Sequence, residues 1–487
     1  MSYKITLNLI LDLYQIILTE SRLMICLQKI LICSLLRNGK CDALHFVLCL
    51  KSPKKARYQA MIDVSYQIVL QMTNSEGKRL YKDAGKEIEE TEFHAYIGLL
   101  ILTSVYKFHG EATKSLWNTD NGRPAFPSVM PVNNFKRISR TIQFDDREKR
   151  SHRRKNNPLA AIRDVWDDWV ARLPMMCNSG AYVTVDERLI PLKGRCPFGQ
   201  YIPKKPAKYG IKVWTLCDAK TSYAWNMQIY TGKRASGIHG KNQGMRVVLD
   251  LIAGLKGNNS ICDHFFTSHE LAVQLLKTYF VSTFAFSEDC TIISYLPKKN
   301  KNVMVLSTMH NDNQVCDGKG SKPDIILHYN NTKVGVDNLD KMASTYSCQR
   351  MTARWPLVIF YNIIDVSAYN AYVLWTEKHP AWNVRRLYKR RLFVEELGKA
   401  LVQLEMMRRK TLPRTAAAKS AVERLRKDAE QPSTSGITDT DTGGKKRARC
   451  QFCVSSDNKT GVRCKKCQKY ICKDHTQSYC NLCAEEI

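Results

Sequence analysis

The sequence predicts a mixed α/β protein: a strand-rich core between helical segments, with a small cysteine-rich domain near its C-terminal end. Three observations carry this. Residues 182–185, Tyr-Val-Thr-Val, form an apolar, β-branched run that reads as a buried strand, and similar runs recur as far as residue 308. Two apolar stretches of helical length, 93–108 and 354–375, lie on either side of that region. Seven of the 18 cysteines fall within residues 450–483.

At 487 residues the chain can hold two or three domains and a large core. Lys and Arg number 75 against 45 acids, a formal charge of +30. Solubility needs far less, so nucleic acid is the first candidate partner and an anionic membrane surface the second. No stretch has 18 uninterrupted apolar residues, and no membrane span is expected. The apolar runs within residues 1–50 are interrupted by Asn8, Asp12, Gln15 and Gln28. They read as short amphipathic helices or as sequence foreign to the adjoining domain, not as a cleaved signal. The cysteines outside the C-terminal cluster are single, as in proteins of a reducing compartment.

In order, residues 58–180 read as helical. A core helix spans 93–108 and a turn-rich loop 114–126. A helix over 133–144 carries Phe135, Ile138 and Ile142 on one side and Lys136, Arg137 and Arg140 on the other. A charged linker occupies 145–158. An amphipathic helix comes next over 158–173, with Ile162, Val165, Trp166 and Trp169 on one side. Strands are expected at 182–186, 211–214 and 221–232, then a helix at 245–253, a strand ending at Asp263 and a helix over 268–280. Strand pieces recur at 290–296 and 303–308, and 323–346 reads as a strand running into a helix. Residues 354–375 contain Arg354, Asn362, Asp365 and Asn370, which favours a core helix over a span. A basic helical tail covers 381–428, with Arg385, Arg386, Lys389, Arg390 and Arg391 clustered. After it come a low-complexity linker (431–444) and Lys-Lys-Arg-Ala-Arg at 445–449, the form of a nuclear localisation signal.

Four acids stand in apolar settings: Asp186, Asp263, Asp337 and Asp340. Asp337 and Asp340, three apart, share a helix face. Clustered carboxylates are how proteins hold Mg²⁺, and paired ions suit phosphodiester cleavage. After Asp186 come Lys193, Arg195, Lys204, Lys205, Lys208 and Lys212, cations suited to a DNA backbone. Taken singly, the acids also fit caps and turns, and the basic loop fits a solvated hairpin. Tyr201, Tyr209, Trp214 and Trp225 can stack on bases, although most aromatics in such strands are core.

Near the C-terminus, Cys450, Cys453, Cys464, Cys467, Cys472, His475, Cys480 and Cys483 make four tight pairs. Each pair can chelate half of a tetrahedral Zn²⁺, so two Zn²⁺ are expected. An interleaved cross-brace would place Cys450, Cys453, Cys472 and His475 on one ion and Cys464, Cys467, Cys480 and Cys483 on the other. A sequential assignment also satisfies the spacing. Zinc would supply the folding energy of so small a segment.

The stretches around Asp186 (182–214), Asp263 (261–268) and Asp337 (334–375) resemble the piggyBac transposases and their host-derived relatives. So do Gly98–Lys107, Gly122–Phe126, Phe144–Arg150 and the Cys-rich end. The resemblance spans roughly residues 60–483. It implies an RNase H-like catalytic core with an inserted subdomain, flanked by helical segments, plus a cross-brace zinc-binding domain. It implies that Asp186, Asp263 and Asp337, accompanied by Asp340, bind Mg²⁺ or Mn²⁺. It also implies cut-and-paste transposition of double-stranded DNA, usually at TTAA targets, by a homodimer in the nucleus. The organisation expected is 1–57 atypical segment, 58–180 helical DNA-binding and dimerisation region, 181–284 first part of the core and 285–330 insertion. Then come 331–380 second part of the core, 381–430 basic tail, 431–449 linker and 450–483 zinc finger. Two departures stand out. Residues 1–57 do not look like the family's start, and the chain is short between Phe284 and Ala285, where a strand and a basic loop are expected. The alternative this raises is a catalytically inactive, transposon-derived DNA- or chromatin-binding protein.

Overall fold

The computed structural model describes residues 52–82, 86–107, 110–120, 122–232, 243–263, 265–266, 291–298, 301–310, 323–430, 448–449 and 459–460. The chain forms two compact units, 1–427 and 428–487. In the second, two short strands pair, Ala448–Arg449 with Lys459–Thr460. The zinc-ligand set and the shortened junction at 284–285 lie outside the described residues, as does the helix expected over 268–280.

Among the described residues, the first unit opens with seven helices: α1 (Pro53–Tyr81), α2 (Glu90–Val105), α3 (Thr113–Leu116), α4 (Ala125–Val129), α5 (Val132–Thr141), α6 (Arg147–Asn156) and α7 (Arg163–Met176). The helix α1 begins at Pro53, inside the stretch read as atypical, and buries Tyr58, Met61, Ile62, Tyr66 and Val69. The core helix α2 is buried on nearly every side, as its apolar sequence demands. The turn-rich loop contains two short helices. The charged linker is also a helix, α6, with no buried residue. Its Asp146 caps it by accepting from the Glu148 N–H, and buried Asp145 holds both Arg150 and Arg153. Side-chain pairing thus supplies what apolar periodicity does not.

The sheet comes next: β1 (Tyr182–Pro191), β2 (Gly199–Tyr201), β3 (Tyr209–Asp218), β4 (Ala224–Ile229) and, after α8 (Gln243–Ile252), β5 (Asn259–Cys262). Strand β3 runs antiparallel to β1 on one side and to β2 and β4 on the other. Strand β5 lies parallel to β1 on its far side, with Val185 opposite Cys262. A hairpin of β6 (Thr291–Lys298) and β7 (Lys301–Ser307) forms a separate sheet.

Five more described helices complete the unit: α9 (Asp324–Thr332), α10 (Gly335–Thr345), α11 (Trp355–Lys378), α12 (Lys389–Arg408) and α13 (Ala416–Glu430), the last crossing into the second unit. The strand expected at the start of 323–346 is instead helix α9, with Pro323 as its N-cap. Helix α11 is long and apolar enough to cross a membrane, yet 89% of its apolar window is buried inside the protein. Its Ser367 accepts from the Trp169 indole of α7, and its Asn370 bonds the backbone N–H and C=O of Ala224 in β4. The basic tail is more than a tail. Helix α12 buries Phe393, Val394, Leu397, Leu401 and Val402, and its Gly398 meets Gly98 of α2 at a close crossing.

Candidate active site

Strand β1 is buried on both faces at Val183, Thr184 and Val185 and again from Arg188 to Ile190, and between these runs Asp186 and Glu187 are half-buried. One residue beyond the Val185–Cys262 pairing stand Asp186, midway along β1, and Asp263, just past the end of β5. Neighbouring strands lie about 4.8 Å apart, so register alone brings together two acids far apart in sequence. Asp263 is exposed.

The third acid arrives on α10. Thr184 of β1 donates a hydrogen bond to the Thr332 carbonyl at the end of α9, at 2.7 Å. Gly335 then opens α10 against the same threonine. A Cβ on Gly335 would lie 2.9 Å from Thr184 Oγ1 and 3.2 Å from its Cβ, so only glycine allows this approach. Asp337 and Asp340 lie further along that helix. Asp340 accepts from Arg188 Nε at 2.9 Å, and the Arg188 side chain is only 3% exposed. Asp337 is 66% exposed and pairs with Lys205 Nζ at 3.3 Å.

The electrostatics link these groups. Burial pushes Asp186 up to about 6; the Glu187 N–H, which donates to Asp186 Oδ1 at 2.7 Å, and Lys205 oppose the rise, while Asp337 and Glu187 add to it. Burial pulls Lys205 down, but Asp186, Asp337 and Asp340 outweigh it and its pKa ends above the ordinary lysine value. The Tyr329 hydroxyl of α9 is raised to about 12 by burial and then by Asp263 and Asp186. Asp186 thus feels both Asp337 and Lys205, and Tyr329 feels both Asp263 and Asp186. Among the described residues, however, no three His, Cys, Asp or Glu side chains are gathered closely enough to hold a metal ion.

Of the cations expected to face DNA, Lys193, Arg195, Lys204 and Lys208 are not buried, whereas the Lys205 ammonium is turned inward to Asp337. The aromatics divide in the same way: Trp214 and Trp225 are core, whereas Tyr201 and Tyr209 are exposed. Sequence reasoning missed Tyr329 and Arg188. Neither carries a sequence signal, since both act through contacts made only in the folded chain.

A family model described as Transposase IS4 matches residues 63–287 and 282–372, more than half of the chain. The chain belongs to that transposase family. A solved structure described as the cryo-EM structure of a piggyBac transposase synaptic complex with hairpin DNA is similar at 29% identity, with a TM-score of 0.69. The match covers 88% of this chain and 96% of that one. Within the transposases, this chain is a piggyBac-family member.

Proposed function

We propose that the chain is built as a metal-dependent DNA transposase, cutting and rejoining phosphodiesters at Asp186, Asp263 and Asp337. The observation that carries this reading is the register of β1 and β5, which sets Asp186 beside Asp263, with Asp337 delivered from α10. Antiparallel β4, β3 and β1 with β5 parallel to β1 supports an RNase H-like core. The donor set suits Mg²⁺ or Mn²⁺: it consists of carboxylate oxygens, and Asp186 is a carboxylate whose charge burial has left poorly compensated. When bound, such an ion supplies activation of the attacking oxygen and neutralises charge on the leaving one.

The remaining roles belong to the protein's own residues. Arg188 clamps Asp340 and so positions α10 over β1. Lys205 balances the acids. Lys193, Arg195, Lys204 and Lys208 are placed to hold phosphates of double-stranded DNA. The similar piggyBac complex contains hairpin DNA, which supports a DNA partner here. TTAA-type targets, a homodimer and nuclear residence directed by residues 445–449 complete the reading. At the C-terminus, Cys450, Cys453, Cys464, Cys467, Cys472, His475, Cys480 and Cys483 are the soft-donor set for two Zn²⁺ and form a DNA-end-recognising finger. We assign the domains at the boundaries expected from sequence, with the start of α1 moved to Pro53.

A second reading has its own support: a transposon-derived binding protein without catalysis. The two family-model segments meet at 282–287, where the chain looks shortened, and Lys205 stands among the acids. Magnesium-dependent nicking of DNA bearing the element's ends separates the two. Wild type should nick while Asp186→Ala does not; no difference between them leaves the binding reading. A chelator should abolish DNA binding by residues 445–487; undiminished binding would remove the zinc-dependent finger.

A further inference from the structure

Strands β2 and β3 make a narrow ribbon, with Gly199 opposite Ile211, Gln200 opposite Gly210 and Tyr201 opposite Tyr209. The two tyrosines end that ribbon. They are 55% and 62% exposed, and their ring centroids are 4.6 Å apart at an interplanar angle of 39°. Elsewhere in the same sheet the aromatics Trp214 and Trp225 are core. Two adjacent rings held out in water contribute little to the fold and present a ready aromatic surface.

The turn beyond them is ordered. The Ile202 N–H donates to the Lys208 carbonyl at 2.8 Å, the Lys205 N–H to Ile202 and the Lys208 N–H to Lys205, both at 3.1 Å. Lys208 sits at φ 53° to close it. The turn faces two ways. Lys204 and Lys208 point toward solvent, while Lys205 reaches inward to Asp337. The ring pair is thereby tied, through one short turn, to an acid of the candidate site.

We propose that Tyr201 and Tyr209 form a stacking platform for an unpaired DNA base beside the carboxylates, with Lys204 and Lys208 on the flanking phosphates. This rests on the reading of the acids as the place where DNA is cut. Exposed rings beside cations are the recurrent combination for single-stranded nucleic acid: the rings stack on bases and the cations track the backbone. Fully paired DNA offers no base face to such a platform, so the contact selects strands that have opened.

The test uses the full chain in buffer with no added Mg²⁺ or Mn²⁺, so that no cleavage occurs. Binding is read by fluorescence anisotropy on a single-stranded oligothymidylate and on a duplex of equal length. For Y201A/Y209A, affinity for the single strand should fall roughly 5- to 100-fold. Affinity for the duplex should change by less than about twofold, because phosphate contacts carry it. Y201F/Y209F should match wild type on both. Equal losses on both DNAs, no loss on the single strand, or a loss in the phenylalanine variant would overturn the platform. A second readout needs no variant: an iodouracil-substituted single strand, irradiated on wild type, should cross-link to Tyr201 or Tyr209, and cross-links elsewhere only would overturn it. The stacking assay reads binding without cleavage, so a failed nicking assay leaves this inference standing, and a failed stacking assay leaves the acids' role untouched.

Discussion

Replacing Gly335 by alanine probes how α10 is held over β1. The new Cβ would sit 2.9 Å from Thr184 Oγ1, 3.2 Å from Thr184 Cβ and 3.4 Å from the Asp218 carbonyl. Thr184 is buried in β1 and bonded to the Thr332 carbonyl, so it cannot rotate away without losing that bond. The helix must lift by roughly half an ångström instead. Overpacking of this kind costs about 1–3 kcal/mol, offset by up to about 1 kcal/mol of helix propensity gained over glycine. Gly335→Ala should therefore lose about 1–2 kcal/mol, read as a melting temperature lower by about 1–4 °C. Asp337 lies two residues on, and displacement there should cost nicking activity at a temperature where the protein remains folded. Thr184→Ala in the same chain removes Oγ1, the nearest obstructing atom, while keeping Cβ, and should restore part of the stability lost to Gly335→Ala. Wild-type melting and wild-type nicking in the single variant would refute the close approach as the device that sets Asp337.

Other variants separate structural from chemical roles. Asp340→Ala strands the buried Arg188 cation and should cost about 3–5 kcal/mol in thermal unfolding. Asp337→Ala, at an exposed pair, should cost less than about 1 kcal/mol while abolishing nicking. Lys205→Met removes a cation from among the acids and should tighten Mn²⁺ binding roughly fivefold at pH 8, as titration calorimetry would show. Burial raises Asp365 from 3.8 to about 7, despite the Cys348 N–H it accepts at 2.8 Å. The folded chain thus keeps a proton that the unfolded chain has released, and stability falls as pH rises from about 4 to about 7. Asp365→Asn should flatten that slope, matching wild type near pH 4 and exceeding it by up to about 4 kcal/mol above pH 7, as melting across pH would show.

Much of the site was legible because its signals are local. A strand carrying Asp186, a short strand just before Asp263 and a helix carrying Asp337 all read directly from spacing, although β1 runs on to Pro191 and does not stop at the acid. That Asp186 and Asp263 follow one pairing was not legible from spacing, because it depends on β1 and β5 lying parallel in one register. Local ambiguity caused the misplaced strand: Ile325-Ile326-Leu327 is a short apolar run that periodicity cannot assign. Helix α6 has no apolar face at all, and only the pairing of Arg150 and Arg153 with Asp145 makes sense of it. Lys205 looked like one more cation in a basic loop. Its inward turn is set by where α10 places Asp337, a tertiary fact absent from the loop's own sequence.

The central claim is that Asp186, Asp263 and Asp337 make one cation site. Manganese titration read by electron paramagnetic resonance tests it without DNA or turnover. The account predicts saturable Mn²⁺ binding by wild type at pH 8, lost in Asp186→Ala and in Asp263→Ala alike. Binding that persists unchanged in either variant would contradict it.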